Sequence, residues 1–213
     1  MKKVISLLYS PGTNCEEETM EAFKLAGGKP KLVFLADILK GKKKITDCDI
    51  FCVPGGFSFG DHIDTGIIVA TLMRDFFPQL LEAKIPTIGI CNGFQILMRA
   101  GMFGKGITLT RNKSGVFCSM PVQHLFWKSN CIWTRGLEET LLSFPSAHIG
   151  GFLESRRDPT PQVAMVYSSE SPNGGSIAGI FSNDGLVFGL MDHPERPYGN
   201  LDGQKIFRNG ISY

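Results

Sequence analysis

Cys91 stands between two glycines in Gly89-Ile90-Cys91-Asn92-Gly93, where a short apolar run gives way to an amphipathic one. This is the spacing of a nucleophile elbow, a tight strand-to-helix turn that carries a reactive side chain outward. Residues two before and two after the nucleophile approach closely in such a turn, so a Cβ on either would clash. The amino end of the next helix offers N–H groups and a positive dipole end, which favour a thiolate and can hold a developing oxyanion. Taken alone, the pattern also fits a small buried hydrophobe with glycines easing helix onto sheet.

An ordinary thiol is mostly protonated at neutral pH, so the functional reading needs a base within hydrogen-bond reach. Of the four histidines, His193 is best placed, since "LVFGLMDHPERP" delivers it just beyond a strongly apolar run. Glu195 lies two residues on, across a stiff proline, and can accept from the other ring nitrogen, fixing the tautomer and stabilising imidazolium. The turn "VPGGFSFGD" follows another apolar run; Gly55-Gly56 allows a backbone N–H there to join that of Asn92 as an oxyanion hole. A phosphate-binding G-x-x-x-x-G-K-[ST] loop is absent from the chain.

The elements that must carry these residues follow from periodicity. Strand is expected at Val4–Leu8, Lys31–Leu35, Asp49–Val53 and Ile85–Ile90, and helix at Glu16–Ala26, Ile67–Ala83 with a break or a late restart at Pro78, and Asn92–Ala100. That alternation implies βαβ units and a parallel sheet covered by helices on both faces. In the second half "GVFCSMPV", "NCIWT", "QVAMVYS", "SIAGIFS" and "LVFGLMD" read as strands with little helix before the tail from Leu201, which suggests added hairpins. The 213 residues are expected to form one domain, residues 1–213.

Net charge is only +2, so no nucleic-acid surface is expected, and "KGKKK" at Lys40–Lys44 reads as a solvated loop. No apolar stretch approaches the roughly 20 residues of a membrane span. The six cysteines are scattered without a C-x-x-C pair, which fits a reducing cytoplasm. His62 with Asp61 and Asp64 lacks a fourth ligand at a recognisable spacing, so no metal site is expected. His148 is second choice as base, because no carboxylate in its own motif orients it.

"GICNGFQIL" with "HPER" a hundred residues later resembles the class I glutamine amidotransferases. "PGGFSFGD", "PGTNCEEE" and "PNGGSIAGI" narrow the resemblance to the glutaminase subunits and domains of phosphoribosylformylglycinamidine synthases, which act in de novo purine synthesis. The resemblance implies a flavodoxin-like, mainly parallel sheet, a Cys91–His193–Glu195 triad, and Gly56 and Asn92 as oxyanion donors. It further implies that Gln95 and Asn112 help hold the substrate glutamine, which is hydrolysed through a cysteine thioester to glutamate and ammonia. The consuming reaction needs ATP, for which this chain has no cofactor site. ATP and Mg are therefore expected on a large synthetase subunit, often joined by a small bridging subunit. Two places depart from the branch: Asp64 stands where an arginine is typical, and in "SAHIGGF" Gly150 and Phe152 replace an acidic and a basic residue. Two other readings remain open here, a related cysteine hydrolase of γ-glutamyl or peptide bonds and a catalytically silent binding module.

Overall fold

A computed structural model describes residues 1–59, 65–155, 160–197 and 199–213. In chain order, β1 (Val4–Tyr9), α1 (Glu16–Leu25), β2 (Lys29–Phe34), α2 (Leu35–Leu39) and β3 (Ile50–Val53) lead to the first glycine turn. α3 (Thr65–Leu72), α4 (Phe77–Glu82), β4 (Thr87–Ile90) and α5 (Asn92–Arg99) follow. The second half holds β5 (Ile107–Thr110), β6 (Cys118–Phe126), β7 (Leu141–His148), β8 (Phe152–Ser155), β9 (Gln162–Tyr167), β10 (Ile177–Phe181), β11 (Val187–Leu190) and α6 (Gln204–Ser212).

Among the described residues, nine strands form one sheet in the order β2-β1-β3-β4-β11-β10-β9-β6-β7, and β5 pairs with β8 in a separate ribbon. The five strands from β2 to β11 run parallel; the rest of the sheet continues antiparallel. Every residue of β3, β4 and β11 is buried, which requires cover on both faces and explains their unbroken apolar runs. α1 packs on β1 and β2 beside α6, where Phe23 meets Phe207 edge to face, while α5 packs on β3, β4 and β11 beside α3.

Glycines set how closely α5 sits. Gly89 of β4 lies opposite Gly189 of β11 in register. A Cβ at Gly89 would come within 2.8 Å of the Gly93 carbonyl oxygen, and one at Gly189 within 2.1 Å of the Phe94 ring. Gly93 itself has no room at all, since a Cβ there would lie 1.8 Å from the Val53 carbonyl oxygen. The helix therefore rests directly on the carboxyl ends of the central strands.

Several expectations need correction. "NCIWT" is not a strand: Ile132–Thr134 form a single 3₁₀ turn. Its apolar character reflects the burial of Trp133, whose indole N–H donates to the Leu186 carbonyl at 2.9 Å. β5, β7, β8 and α2 were not expected. "LVFGLMD" does form a hairpin strand with β10, but it also joins the parallel half beside β4. The loop with Asp61, His62 and Asp64 lies outside the described residues. Among the described residues no helix is long and apolar enough to cross a membrane.

Candidate active site

β4 ends at Ile90 and α5 begins at Asn92, so the whole turn falls on Cys91, whose backbone takes φ +52° and ψ −112°. Positive φ is costly for a residue with a Cβ and is held here by the packing of Gly89 and Gly93. The sulfur lies 3.8 Å from the Ala147 carbonyl oxygen, near the end of β7.

β11, beside β4, carries the chain to His193 immediately after Met191 and Asp192. His193 N–H donates to the Pro145 carbonyl oxygen at 2.8 Å, so β7 fixes the start of the turn. The Pro194 carbonyl lies under Gly203, where a Cβ would come within 2.0 Å of it, so the start of α6 fixes the other side. Within that turn His193 Nδ1 is 2.7 Å from Glu195 Oε1, both side chains being buried. Burial alone would lower the imidazole pKa. It is instead raised well above its usual value, because Glu195 and Cys91 favour its charge and Cys15 and Cys91 hydrogen-bond to it. Cysteine, imidazole and carboxylate thus converge from residues 91 and 193–195.

The glycine turn after β3 meets the start of α1. Gly56 has φ +151°, and a Cβ would fall 2.8 Å from Asn14 N and Gly12 O. Gly56 bridges Thr13, but the bonds of that bridge come from its neighbours, Phe57 N to Gly12 O at 2.8 Å and Asn14 N to Gly55 O at 3.5 Å. The N–H of Gly56 therefore points away from the Thr13 segment. Asn92 is the first residue of α5, at the positive end of the helix dipole. Its side-chain oxygen accepts from Ser58 N at 3.2 Å, tying the glycine turn to the elbow.

The two residues expected to hold glutamine are engaged within the chain. Gln95 donates to the Gly150 carbonyl at 2.9 Å and accepts from Asn92 Nδ2 at 3.0 Å. Asn112 Oδ1 faces Gly151 N at 3.1 Å and His148 Nδ1 at 3.2 Å, while Nδ2 donates to the carbonyls of His148 at 3.0 Å and Val116 at 3.4 Å. Those four contacts engage both atoms of the amide, and in this arrangement Asn112 shapes the His148–Gly151 loop.

Two features went unread in the sequence. Asp192 is completely buried; its Oδ2 accepts from Tyr167 Oη at 2.9 Å and lies 3.0 Å from His124 Nε2. Burial would raise its pKa, yet the hydrogen bond and charge of His124, with help from His148 and Ser146, hold it below the usual value. One residue before His193, it ties β11 to β6 and β9. The other is Cys15, buried at the start of α1, whose sulfur receives Arg196 Nη2 at 3.0 Å. Cys131 is also buried, and burial pushes its thiol up to about 12.

The family model of the CobB/CobQ-like glutamine amidotransferase domain matches residues 2–211. The chain belongs to the glutamine amidotransferase family. Among curated proteins, it is 36% identical over 220 residues to "Phosphoribosylformylglycinamidine synthase subunit PurQ" of Helicobacter hepaticus, covering 96% of each chain. It is 33% identical over 221 residues to the protein of that name from Thermotoga maritima, covering 100% of this chain and 99% of that one. Among solved structures it superposes on a chain of the PurLQS structure from Thermotoga maritima with TM-score 0.89 and 32% identity, covering 100% of this chain and 99% of that one. A second glutamine amidotransferase structure from Thermotoga maritima, 16% identical with TM-score 0.60, covers 92% of this chain and 77% of that one and shares the fold.

Proposed function

We propose that residues 1–213 act as one amidotransferase domain that hydrolyses glutamine and supplies ammonia to a phosphoribosylformylglycinamidine synthase in purine biosynthesis. The observation that carries this reading is the Cys91 elbow at φ +52° facing a His193–Glu195 pair bonded at 2.7 Å. His193, whose pKa is raised by the charges of Glu195 and Cys91, receives the proton of the Cys91 thiol. The sulfur attacks the side-chain amide carbon of glutamine, and the oxyanion is received by the N–H groups of Gly56 and Asn92. The imidazolium donates its proton to the departing nitrogen, so ammonia leaves and a glutamyl thioester remains. Water then gives a proton to His193 and attacks the thioester, releasing glutamate and restoring the thiolate.

Gln95 acts by holding Asn92 and the Gly150 carbonyl in line with the elbow; Asn112 acts through the loop it braces. Ammonia set free in neutral water is protonated and can no longer attack a carbon, so the product must pass directly to a docked synthetase subunit that binds ATP and Mg. The similar Thermotoga maritima chain comes from the PurLQS structure, which supports a multi-subunit assembly, and a small bridging subunit fits the same scheme. We place the protein in the cytoplasm with these partners.

Labelling of Cys91 by a glutamine-mimicking diazoketone, with mass spectrometry of the adduct, tests the reading in the free chain and with a large subunit present. The expected result is stoichiometric labelling that glutamine protects against, together with ammonia release that Cys91→Ala lowers by about 10⁴-fold or more. Absence of labelling in the complex would point to a silent module; faster turnover of γ-glutamyl peptides than of glutamine would point to the hydrolase.

A further inference from the structure

The His193–Glu195 pair has a side that does not face Cys91. A cavity of about 290 Å³ there is walled by Glu17, Glu18, Glu21, Glu195 and Arg196; Glu195 reaches its wall, while Cys15 and His193 lie behind it. Glu195 uses Oε1 for His193, while its Oε2 is buried without a hydrogen-bond partner. Cys15 completes the group: its sulfur, a ring nitrogen of His193 and a carboxylate oxygen of Glu195 all lie within 4.8 Å of one another, and all three residues are buried. Sulfur, imidazole nitrogen and carboxylate oxygen are the three donor types that zinc takes together, and three protein ligands leave its fourth position open.

We propose that Cys15, His193 and Glu195 form a site for a thiophilic divalent cation of the zinc class, entered past Glu17, Glu18 and Glu21, and that its occupation takes the imidazole out of catalysis. The three acidic residues concentrate a cation at the cavity, and the unpartnered Glu195 oxygen gives it a first hold. Arg196 sits in the way. Its guanidinium donates to Cys15 at 3.0 Å and lies 3.7 Å from Glu18, so it already supplies positive charge there and must swing aside for a metal. On binding, the Cys15 thiol loses its proton to solvent, the ring nitrogen of His193 that takes the metal gives up the proton it carries, and sulfur and nitrogen become ligands. Either ring nitrogen gives the same outcome. Metal on Nε2 removes the lone pair that takes the proton of Cys91; metal on Nδ1 breaks the bond to Glu195 and leaves the proton on Nε2.

The effect on turnover rests on the amidotransferase reading, whereas the binding stands on geometry alone, so the test reads binding first. Cobalt(II) is titrated into the full chain carrying Cys91→Ala, and the near-ultraviolet thiolate-to-cobalt absorption is followed. A single equivalent should bind with that absorption, and adding Cys15→Ser or Cys15→Ala should abolish the absorption and weaken binding by about tenfold or more, with the fold checked by urea unfolding. Absorption that survives both Cys15 variants, or that requires Cys91, or no stoichiometric binding, overturns the site. In the otherwise native protein, zinc should inhibit ammonia release more strongly than in Cys15→Ser; equal inhibition in the two would also overturn the proposal.

Discussion

His193 and His148 are near enough to repel each other's charge, and their surroundings push them in opposite directions. His148 lies among buried groups that lower its pKa; Asp192 opposes this, and the charge of His193 adds to it. For His193 the charges of Glu195 and Cys91 prevail over burial, and the pKa rises well above 6.5. Linkage then gives each a sign. His193 contributes stability that is complete below about pH 6.5, the ordinary histidine value, and is lost as pH rises through its folded value. His148 does the reverse: its contribution is complete above about pH 6.5 and is lost as pH falls through its lowered value, because the unfolded chain takes up a proton that the buried ring refuses. Asp192, held below the usual carboxylate value, loses its contribution only at more acid pH. Urea midpoints measured across pH should therefore fall on the acid side of about 6.5, by up to about 1.4 kcal/mol per pH unit for one proton. His148→Asn, whose amide nitrogen can replace Nδ1 against Asn112, should flatten that slope and leave the alkaline side alone. An unchanged acid slope in the variant would show that His148 is not the group responsible.

The seating of α5 on β3 and β4 is where element packing becomes chemistry. Gly93→Ala would place a methyl group 1.8 Å from the Val53 carbonyl oxygen, and backbone on both sides leaves no flexible atom to yield. The helix must lift, at a cost of about 1–3 kcal/mol or more. The urea midpoint should fall by that amount, and Cys91 should lose its labelling because the turn at φ +52° depends on the same contact. Labelling at the native rate would mean that the glycine serves packing only. This elbow was legible in the sequence because its signal is local: five consecutive residues specify it, and His193 and Glu195 lie two apart. The central strands were legible for a related reason, since burial on both faces leaves continuous apolar runs. β7 was hidden by Pro145, which faces Pro121 of β6. β7 is the sheet edge, and β9 pairs with β6 only over His124–Phe126, so neither proline removes a ladder bond that a neighbouring strand needs. Cys15 was hidden by distance: its partner Arg196 is 181 residues away, and no periodicity links the two.

For the molecule as a whole, the decisive requirement is that ammonia leave the site without meeting water, so the docking face of the synthetase subunit must adjoin the glycine turn and elbow. Large apolar side chains are exposed there. Phe57 and Phe59 follow the Gly55-Gly56 pair, and α3, which packs on α5, leaves Ile67, Ile68 and Leu72 about two-fifths exposed. Ile68 and Leu72 are four residues apart and so lie on one stripe of the helix. Val69 and Met73, by contrast, are completely buried, so the helix has already satisfied its inner face with other side chains. The stripe is thus free to contact the partner proposed above without any cost to this chain's own core. Ile68→Glu with Leu72→Glu should leave the urea midpoint within about 0.5 kcal/mol, as expected of surface positions. Cys91 should still take the diazoketone in the free chain, while affinity for the large subunit falls by about tenfold or more, since each charge must be desolvated at the contact. Sedimentation of the mixed subunits measures that affinity directly. Native binding by the doubly substituted chain would move the docking face away from α3 and leave the exposed stripe without this role.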